Sequence, residues 1–267
     1  MADRDARPLE PRDDPVAPAA GHGLQPIVHM PFRERLGDVA AFLRFPTHHI
    51  AHYRWSHLLV LAVLIVFAFD YAVDFLATAL TEFLDETTGL MPEAVEYDSS
   101  LPEDIIGYLI LAPLFEEAVY RGWLSGRIAA LRFAVFGFAG EALFIASFYV
   151  DFELASYLSL GGLALWGFGL WRWLATRDFD TQVPEWFTRN FHWFVWGSSI
   201  LFGLIHLSNY EEISNPLAVL IVLPQTIGGL FLAYTRTRLG LRAAMLHHAL
   251  YNGVYLLMVY EVIPSPF

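Results

Sequence analysis

Apolar residues dominate the chain from residue 57 onwards, and short groups of charged residues interrupt them at regular intervals. Seven of the apolar runs approach the ~20 residues that a helix needs to cross a bilayer. They cover 57–80, 105–125, 132–150, 155–174, 191–209, 216–235 and 243–262. This pattern predicts an all-α fold: a polytopic membrane helix bundle of about seven transmembrane helices.

The chain before the first run has two segments of different composition. Residues 1–26 are rich in Pro, Ala, Asp and Arg and contain no apolar run, which is typical of a disordered tail. They also lack the layout of a secretory signal. Residues 27–56 alternate apolar residues with arginines and histidines, which predicts an interfacial amphipathic segment. The transmembrane bundle then extends over 57–267.

Arginine-rich and acidic connections alternate along the chain. Arginines precede the first run and return at 121–132, 172–189 and 236–242, whereas 81–104, 151–153 and 211–212 carry acidic residues. Because Lys and Arg accumulate in cytoplasmic loops, the N-terminal tail is predicted to lie in the cytoplasm and the C-terminus outside it.

Composition narrows the class of protein. The sequence is 56% hydrophobic and only 16% charged, whereas soluble domains average about 25% charged residues. The net charge of −12 comes without a basic stripe, so nucleic-acid binding is not expected. With no cysteine and no lysine, cysteine nucleophiles, thiolate zinc sites and Schiff-base lysines are excluded. All basic residues other than histidine are arginine, which hints at a GC-rich genome, and we expect location in a bacterial inner membrane.

Two adjacent carboxylates, Glu116 and Glu117, lie in the second apolar run, followed by Arg121. Charges in such a run are costly and rarely without function. On a helix Glu117 and Arg121 are i, i+4 neighbours and can pair. Glu116 points about 100° away on the helical wheel, which leaves its carboxylate free for chemistry.

Further polar residues occur in the other runs. The fifth run contains Phe202-x-x-x-His206 and the last contains His248-x-x-x-Asn252, each pair on one helix face. Structural hydrogen bonds between helices are the favoured interpretation of three further carboxylates, with a proton or cation path as the alternative. These are Asp70, Asp74 and Glu141.

The ordered combination of these motifs resembles the CPBP family of intramembrane proteases, which includes the CAAX prenyl endopeptidase and bacteriocin-processing or immunity proteins. The resemblance covers about 105–256 and includes the flanks Ala112-Pro113 and Arg121-Gly122. In the family the first two motifs usually lie on sequence-adjacent helices, whereas two extra predicted spans separate them here. Counted along the spans, His206 falls nearer the outer face and His248 nearer the inner face.

The resemblance implies roles for these residues. Glu116 and His206 would activate water, while His248 and Asn252 would form the oxyanion pocket. Glu117 and Arg121 would orient the helix or the substrate carboxylate, with Phe202 in support. Which of the two glutamates is the base stays open. Glu116, His206 and His248 also form a candidate Zn²⁺ set with one open position, although His-Glu-x-x-His is absent, so metal-dependent and metal-free mechanisms both stay open.

The resulting prediction is an intramembrane endopeptidase that hydrolyses peptide bonds near the C-terminus of membrane-associated protein or peptide substrates. Two alternatives remain. One is an ion-coupled transporter that uses the buried carboxylates as a polar path, which discontinuous helices at Pro113 or Pro224 would favour. The other is a catalytically inactive, family-like protein that binds a membrane partner.

Overall fold

The computed structural model of this chain describes residues 25–89, 92–95, 99–211 and 215–264. Within these ranges the regular structure is helical, apart from two isolated β-bridges, Gln25 with Tyr53 and Ala94 with Tyr210. The predicted all-α class is therefore confirmed. Nearly all of the predicted N-terminal tail, residues 1–24, lies outside the described residues.

The described helices follow the apolar runs, with interruptions around the first and second motifs. The α-helices are α1 (Phe32–Arg44), α2 (His57–Thr88), α3 (Leu101–Ile106), α4 (Ala112–Glu116), α5 (Ile128–Ser147), α6 (Phe152–Thr176), α7 (Glu185–Arg189), α8 (Phe191–Ile205), α9 (Leu223–Arg238) and α10 (Leu241–Val259). Two π-helical turns and three 3-10 segments complete the helical structure: Gly107–Leu111, Glu117–Arg121, Gly122–Ser125, His206–Asn209 and Pro216–Val222.

Among the described residues, five helical segments are long and apolar enough to cross a membrane, so the chain is an integral membrane protein. They are His57–Thr88, Ile128–Ser147, Phe152–Thr176, Phe191–Asn209 and Pro216–Arg238. The predicted count of seven is not confirmed. The run 105–125 is helical throughout but changes between α, π and 3-10 geometry. Pro113, which lacks a backbone N–H, lies between the two π-helical turns. In α10 the polar residues of the third motif lower the hydropathy of the helix.

Helix α9 is the centre of the bundle. It packs against α8, α2, α10 and α1, and its residues from Gly229 to Thr237 are buried. A side chain at Gly229 would approach Ser199 of α8 to within 3.2 Å, so glycine at this position permits the close contact of α8 with α9. The helices that carry the second and third motifs are thereby held on either side of α9.

Helix α1 is attached to this centre. Val39 and Phe42 are buried, the Tyr234 hydroxyl of α9 donates to Asp38 Oδ2 at 2.8 Å, and Arg238 Nε lies 3.6 Å from the same oxygen. The amphipathic pattern of this segment therefore places its apolar face on α9 and α2. Its position at the membrane interface stays a prediction.

The two long helices between the first and second motifs, α5 and α6, form a hairpin at the edge of the bundle. They pack mainly on each other, and along α6 only Gly162 and Gly169 are buried. The Trp166 indole donates to the Gly137 carbonyl at 2.9 Å. Because the hairpin lies outside the α8–α9–α10 group, the extra spans do not separate the motif helices.

Substitution of Gly162 by alanine is expected to loosen this hairpin. The added Cβ would lie 2.9 Å from the Gly140 carbonyl oxygen and 3.0 Å from the Phe144 ring. Overpacking of this kind lowers the free energy of unfolding by about 1–3 kcal/mol. Gly167→Ala on the same helix meets no atom within 4 Å and shares the gain in helix propensity. We expect Gly162→Ala to unfold at a lower temperature than Gly167→Ala in detergent; equal midpoints would contradict the close packing.

Candidate active site

The two glutamates of the first motif lie at a change of helical geometry. Glu116 is the last residue of α4, and Glu117 begins the π-helical turn that ends at Arg121. Arg121 Nη1 donates to Glu117 Oε1 at 3.0 Å, and both side chains are fully buried. Single π-helical turns inside α-helices are frequent at functional sites, and here the turn contains the ion pair that the sequence spacing allows.

His248 connects the glutamate pair to α10. Its Nδ1–H donates to Glu117 Oε1 at 3.0 Å, so this oxygen accepts from both an arginine and a histidine. The other ring nitrogen, Nε2, lies 3.8 Å from Glu116 Oε2. The Glu116 side chain is 27% exposed whereas that of Glu117 is fully buried, and Oε2 of each glutamate is buried without a hydrogen-bond partner among the described residues. The two adjacent carboxylates are therefore in different environments.

Phe202 lies between the charged groups of the first motif and His206. The Arg121 guanidinium stacks 3.9 Å from the centroid of the Phe202 ring, a favourable cation–π distance. The same ring lies 4.7 Å from the His206 ring centroid and 6.0 Å from that of His248. Phe202 therefore contacts all three motifs.

His206 is held by a backbone hydrogen bond. Its Nδ1 lies 2.7 Å from the Phe202 carbonyl oxygen, which can only accept, so Nδ1 carries the proton. When the ring is neutral, Nε2 is then the nitrogen with a free lone pair. His206 directly follows the end of α8 at Ile205 and begins the 3-10 segment His206–Asn209.

Asn252 completes the third motif on α10. Its side-chain amide donates to the Tyr108 carbonyl at 2.8 Å, and Tyr108 belongs to the first π-helical turn. Helix α10 thus contacts both π-helical turns, through His248 at Glu117 and through Asn252 at Tyr108. Four motif residues (Phe202, His206, His248 and Asn252) line one cavity.

The cavity is small, about 50 Å³, which is room for a few waters. Asp70, Gln225 and Tyr251 also line it. His206 and His248 therefore face one space, although positions counted along the predicted spans put them at different depths.

The carboxylates of α2 have partners on the helices around them. Asp70 Oδ2 lies 3.1 Å from His247 Nε2, whose Nδ1 lies 2.9 Å from the Thr235 hydroxyl. The Tyr251 hydroxyl donates to Asp74 Oδ2. These contacts agree with the structural interpretation of Asp70 and Asp74.

Sequence reasoning did not single out His247 and Tyr251. A signal was present, because two acids spaced i, i+4 on α2 match a histidine and a tyrosine spaced i, i+4 on α10.

Glu141 of α5 is half-buried, in the electrostatic range of Glu116.

The candidate zinc set is not supported by the donor geometry. Within the described ranges, no group of three or more His, Asp or Glu side chains is placed to hold a metal ion. The Nδ1 atoms of His206 and His248 are both used in hydrogen bonds, which leaves Nε2 as the available ligand atom of each ring. On the placement of the described side chains alone, we assign no role in the chemistry to a metal held by Glu116, His206 and His248.

Comparison with known proteins gives one match. A family model described as "Type II CAAX prenyl endopeptidase Rce1-like" matches residues 99–254. The matched region begins just before α3 and ends in α10, so all three motifs lie within it. Neither the curated proteins nor the solved structures gave a match.

Proposed function

The chain belongs to the Rce1-like family of type II CAAX prenyl endopeptidases, and on this premise we propose that it is an intramembrane endopeptidase that hydrolyses peptide bonds near the C-terminus of membrane-associated substrates. The membership confirms the resemblance to the CPBP family. A protease family together with five candidate membrane-spanning helices supports a peptide substrate presented in the bilayer.

One observation carries the mechanistic part of the proposal: the two glutamates are engaged differently. Glu117 is neutralised by Arg121 and accepts from His248, so its carboxylate is held in place. Glu116 forms no ion pair with an arginine among the described residues, its side chain is 27% exposed, and its Oε2 lies 3.8 Å from His248 Nε2. A carboxylate that must accept a proton needs a free oxygen within reach of water. We therefore assign the base to Glu116 and a positioning role to Glu117.

In the proposed reaction, a water molecule is held between Glu116 and Nε2 of His206, both of which can accept its protons. Glu116 takes one proton as the water oxygen bonds to the scissile carbonyl carbon. Breakdown of the tetrahedral intermediate breaks the C–N bond, and the proton on Glu116 passes to the leaving amine. General base and general acid are one carboxyl group in this sequence of steps.

The oxyanion would be stabilised by α10. Asn252 uses one N–H on Tyr108, which leaves the second N–H for the substrate. His248 donates from Nδ1 to Glu117, so its Nε2–H, when the ring is protonated, is the donor available on the cavity side. Each preorganised donor of this kind contributes about 10²–10³ in rate. Glu116 and Glu117 offset the positive charge of the protonated ring.

The test is a comparison of membrane proteomes from cells that produce the wild-type chain or Glu116→Ala. We expect one or more membrane-associated proteins to accumulate with an intact C-terminal segment only in cells with Glu116→Ala. Glu185→Ala, which removes an exposed carboxylate of α7, is the control and should match the wild type. Identical C-termini in the Glu116→Ala and wild-type samples would count against the proposal.

A second candidate, ion-coupled transport, has one observation in its favour. The helical geometry changes around Pro113 and near Pro224, and Asp70 lines the same cavity as the motif histidines. Broken helices around a central polar site are a feature of secondary transporters. Proton flux into liposomes that contain the purified chain, together with unchanged membrane proteomes, would favour this alternative over proteolysis.

A further inference from the structure

A second cavity lies at the arginine-rich end of the bundle, away from the glutamates and histidines of the motifs. Its volume is about 120 Å³, too large for a single water. It is bounded by the segment before α2, by the turn before α5 and by α6 and α9. The polar and aromatic side chains that argue for a ligand are His52, Ser125, Arg127, Trp173, Arg177 and Arg236.

Arg236 is the deepest cation of this cavity. It is only 4% exposed, and two of its nitrogens are used: Nε donates to the Arg121 carbonyl at 3.0 Å and Nη2 to the Gly122 carbonyl at 3.2 Å. In the part of the chain that the structure describes, Nη1 forms no hydrogen bond. A buried guanidinium without a carboxylate partner is costly, and an anion in the cavity would supply the missing charge.

The other cations are poorly neutralised. Arg127 Nη2 lies 3.5 Å from His52 Nε2, a contact with a base rather than with an acid. Arg177 Nε lies 4.0 Å from Asp178 Oδ2, and both of these side chains are mostly exposed, so their attraction is screened by water. Asp178 also lines the cavity, which therefore holds three arginines against one carboxylate.

Two histidines beside the cavity lie in the same positive potential. His52 lies outside the membrane-spanning segments, and its pKa is lowered from the ordinary value by burial and then by the nearby charges of Arg236 and Arg127. The pKa of His48 is likewise lowered, by burial first and also by Arg236. Both histidines thus lie in a region where an additional positive charge is unfavourable.

We propose that this cavity binds a phosphate group, carried by an anionic lipid headgroup or free in solution. Guanidinium groups match the geometry of phosphate oxygens and bind them in a bidentate manner. The arginine-rich ends of the spans are predicted to face the cytoplasm, where anionic lipids are concentrated and basic pockets between helices bind their headgroups. The Trp173 side chain forms an aromatic part of the cavity wall.

The site has a direct connection to the first motif. The carbonyls that Arg236 holds belong to Arg121 and Gly122, at the end of the π-helical turn that contains Glu117. A phosphate bound to Nη1 would fix the guanidinium and therefore the end of this turn. Phosphate binding is inferred from the cavity and its charges, and it does not depend on the protease function.

The test measures the thermal stability of the purified full chain in two arms. In nanodiscs, phosphatidylcholine alone is compared with a mixture that contains phosphatidylglycerol. In detergent, inorganic phosphate is compared with chloride at equal ionic strength. We expect the phosphatidylglycerol mixture to raise the unfolding midpoint. A rise with inorganic phosphate as well would identify the phosphate group as sufficient, whereas a rise with the lipid alone would identify the headgroup. No rise in either arm overturns the proposal.

Single arginine substitutions test whether the lipid binds at this cavity. Arg127→Gln and Arg177→Gln each remove one cation of the cavity, and neither residue belongs to the proposed catalytic machinery. Each should weaken phosphatidylglycerol binding, measured by native mass spectrometry, about fivefold, because a basic residue near an anionic surface contributes about 1 kcal/mol. Arg172→Gln removes an exposed arginine of α6 that lies five residues before Arg177 and outside the cavity, and it is the matched control. Equal weakening by Arg172→Gln would indicate general surface charge instead of a site.

Discussion

Substitution of Glu116 by glutamine is expected to reduce substrate cleavage by about 10³-fold, within the range attributed to general acid–base catalysis. The amide keeps the size of the side chain but cannot take a proton from water. Because Glu116 forms no ion pair with arginine and is 27% exposed, the variant should unfold at the wild-type temperature. Cleavage of the substrate that the proteome comparison identifies, measured in membranes, gives the rate.

Glu141→Gln is the matched control for this prediction. Glu141 is a half-buried carboxylate on α5 in the electrostatic range of Glu116, so its substitution changes the local charge without removing the proposed base. We expect Glu141→Gln to retain most of the activity. Full activity in Glu116→Gln, or an equal loss in both variants, would be incompatible with Glu116 as the base.

The second large effect concerns folding. Glu117→Gln leaves the guanidinium of Arg121 buried without its counter-charge, and breaking a buried pair in this way costs about 3–5 kcal/mol. For a chain of this size the loss corresponds to a fall of about 10 °C in the unfolding midpoint. The amide oxygen of glutamine is an uncharged, weaker acceptor for the His248 ring than the carboxylate it replaces, so activity should fall together with stability. Thermal unfolding in detergent measures the effect.

An exposed pair provides the comparison. Arg189 and Glu185 have the same i, i+4 spacing and the same 3.0 Å distance as Arg121 and Glu117, but their side chains are 75% and 84% exposed. Glu185→Gln should therefore shift the midpoint by no more than about 1 °C, since exposed pairs contribute little.

The double variant Glu117→Leu with Arg121→Met removes both buried charges and should recover most of the stability lost in Glu117→Gln. Its cleavage activity should stay low because His248 is then without its acceptor. A Glu117→Gln midpoint equal to that of the wild type would contradict the structural role of the pair.

Part of the site could be read from local spacing. The i, i+4 relation of Glu117 and Arg121 follows from helical geometry within one turn, and the structure contains this ion pair. The motifs also direct Phe202 with His206, and His248 with Asn252, to single helix faces. The pairing of Asp70 and Asp74 with α10 was not predicted, because a helix pattern shows which residues share a face but not which helix lies opposite.

The sequence by itself determined the all-helical class, the membrane location and the motif residues, because apolar runs and i, i+4 spacing are properties of continuous segments. Only the tertiary structure decided which contacts those residues make across helices. Glu117 is fully buried and accepts from both Arg121 and His248, whereas Glu116 is 27% exposed with its Oε2 3.8 Å from His248 Nε2, although the two are chemically identical neighbours. The tertiary structure also places Arg236 against the carbonyls of Arg121 and Gly122, which are more than a hundred residues away in the sequence. The physical reason is that hydrogen bonds and ion pairs between helices depend on the packing of distant segments, which no local pattern encodes.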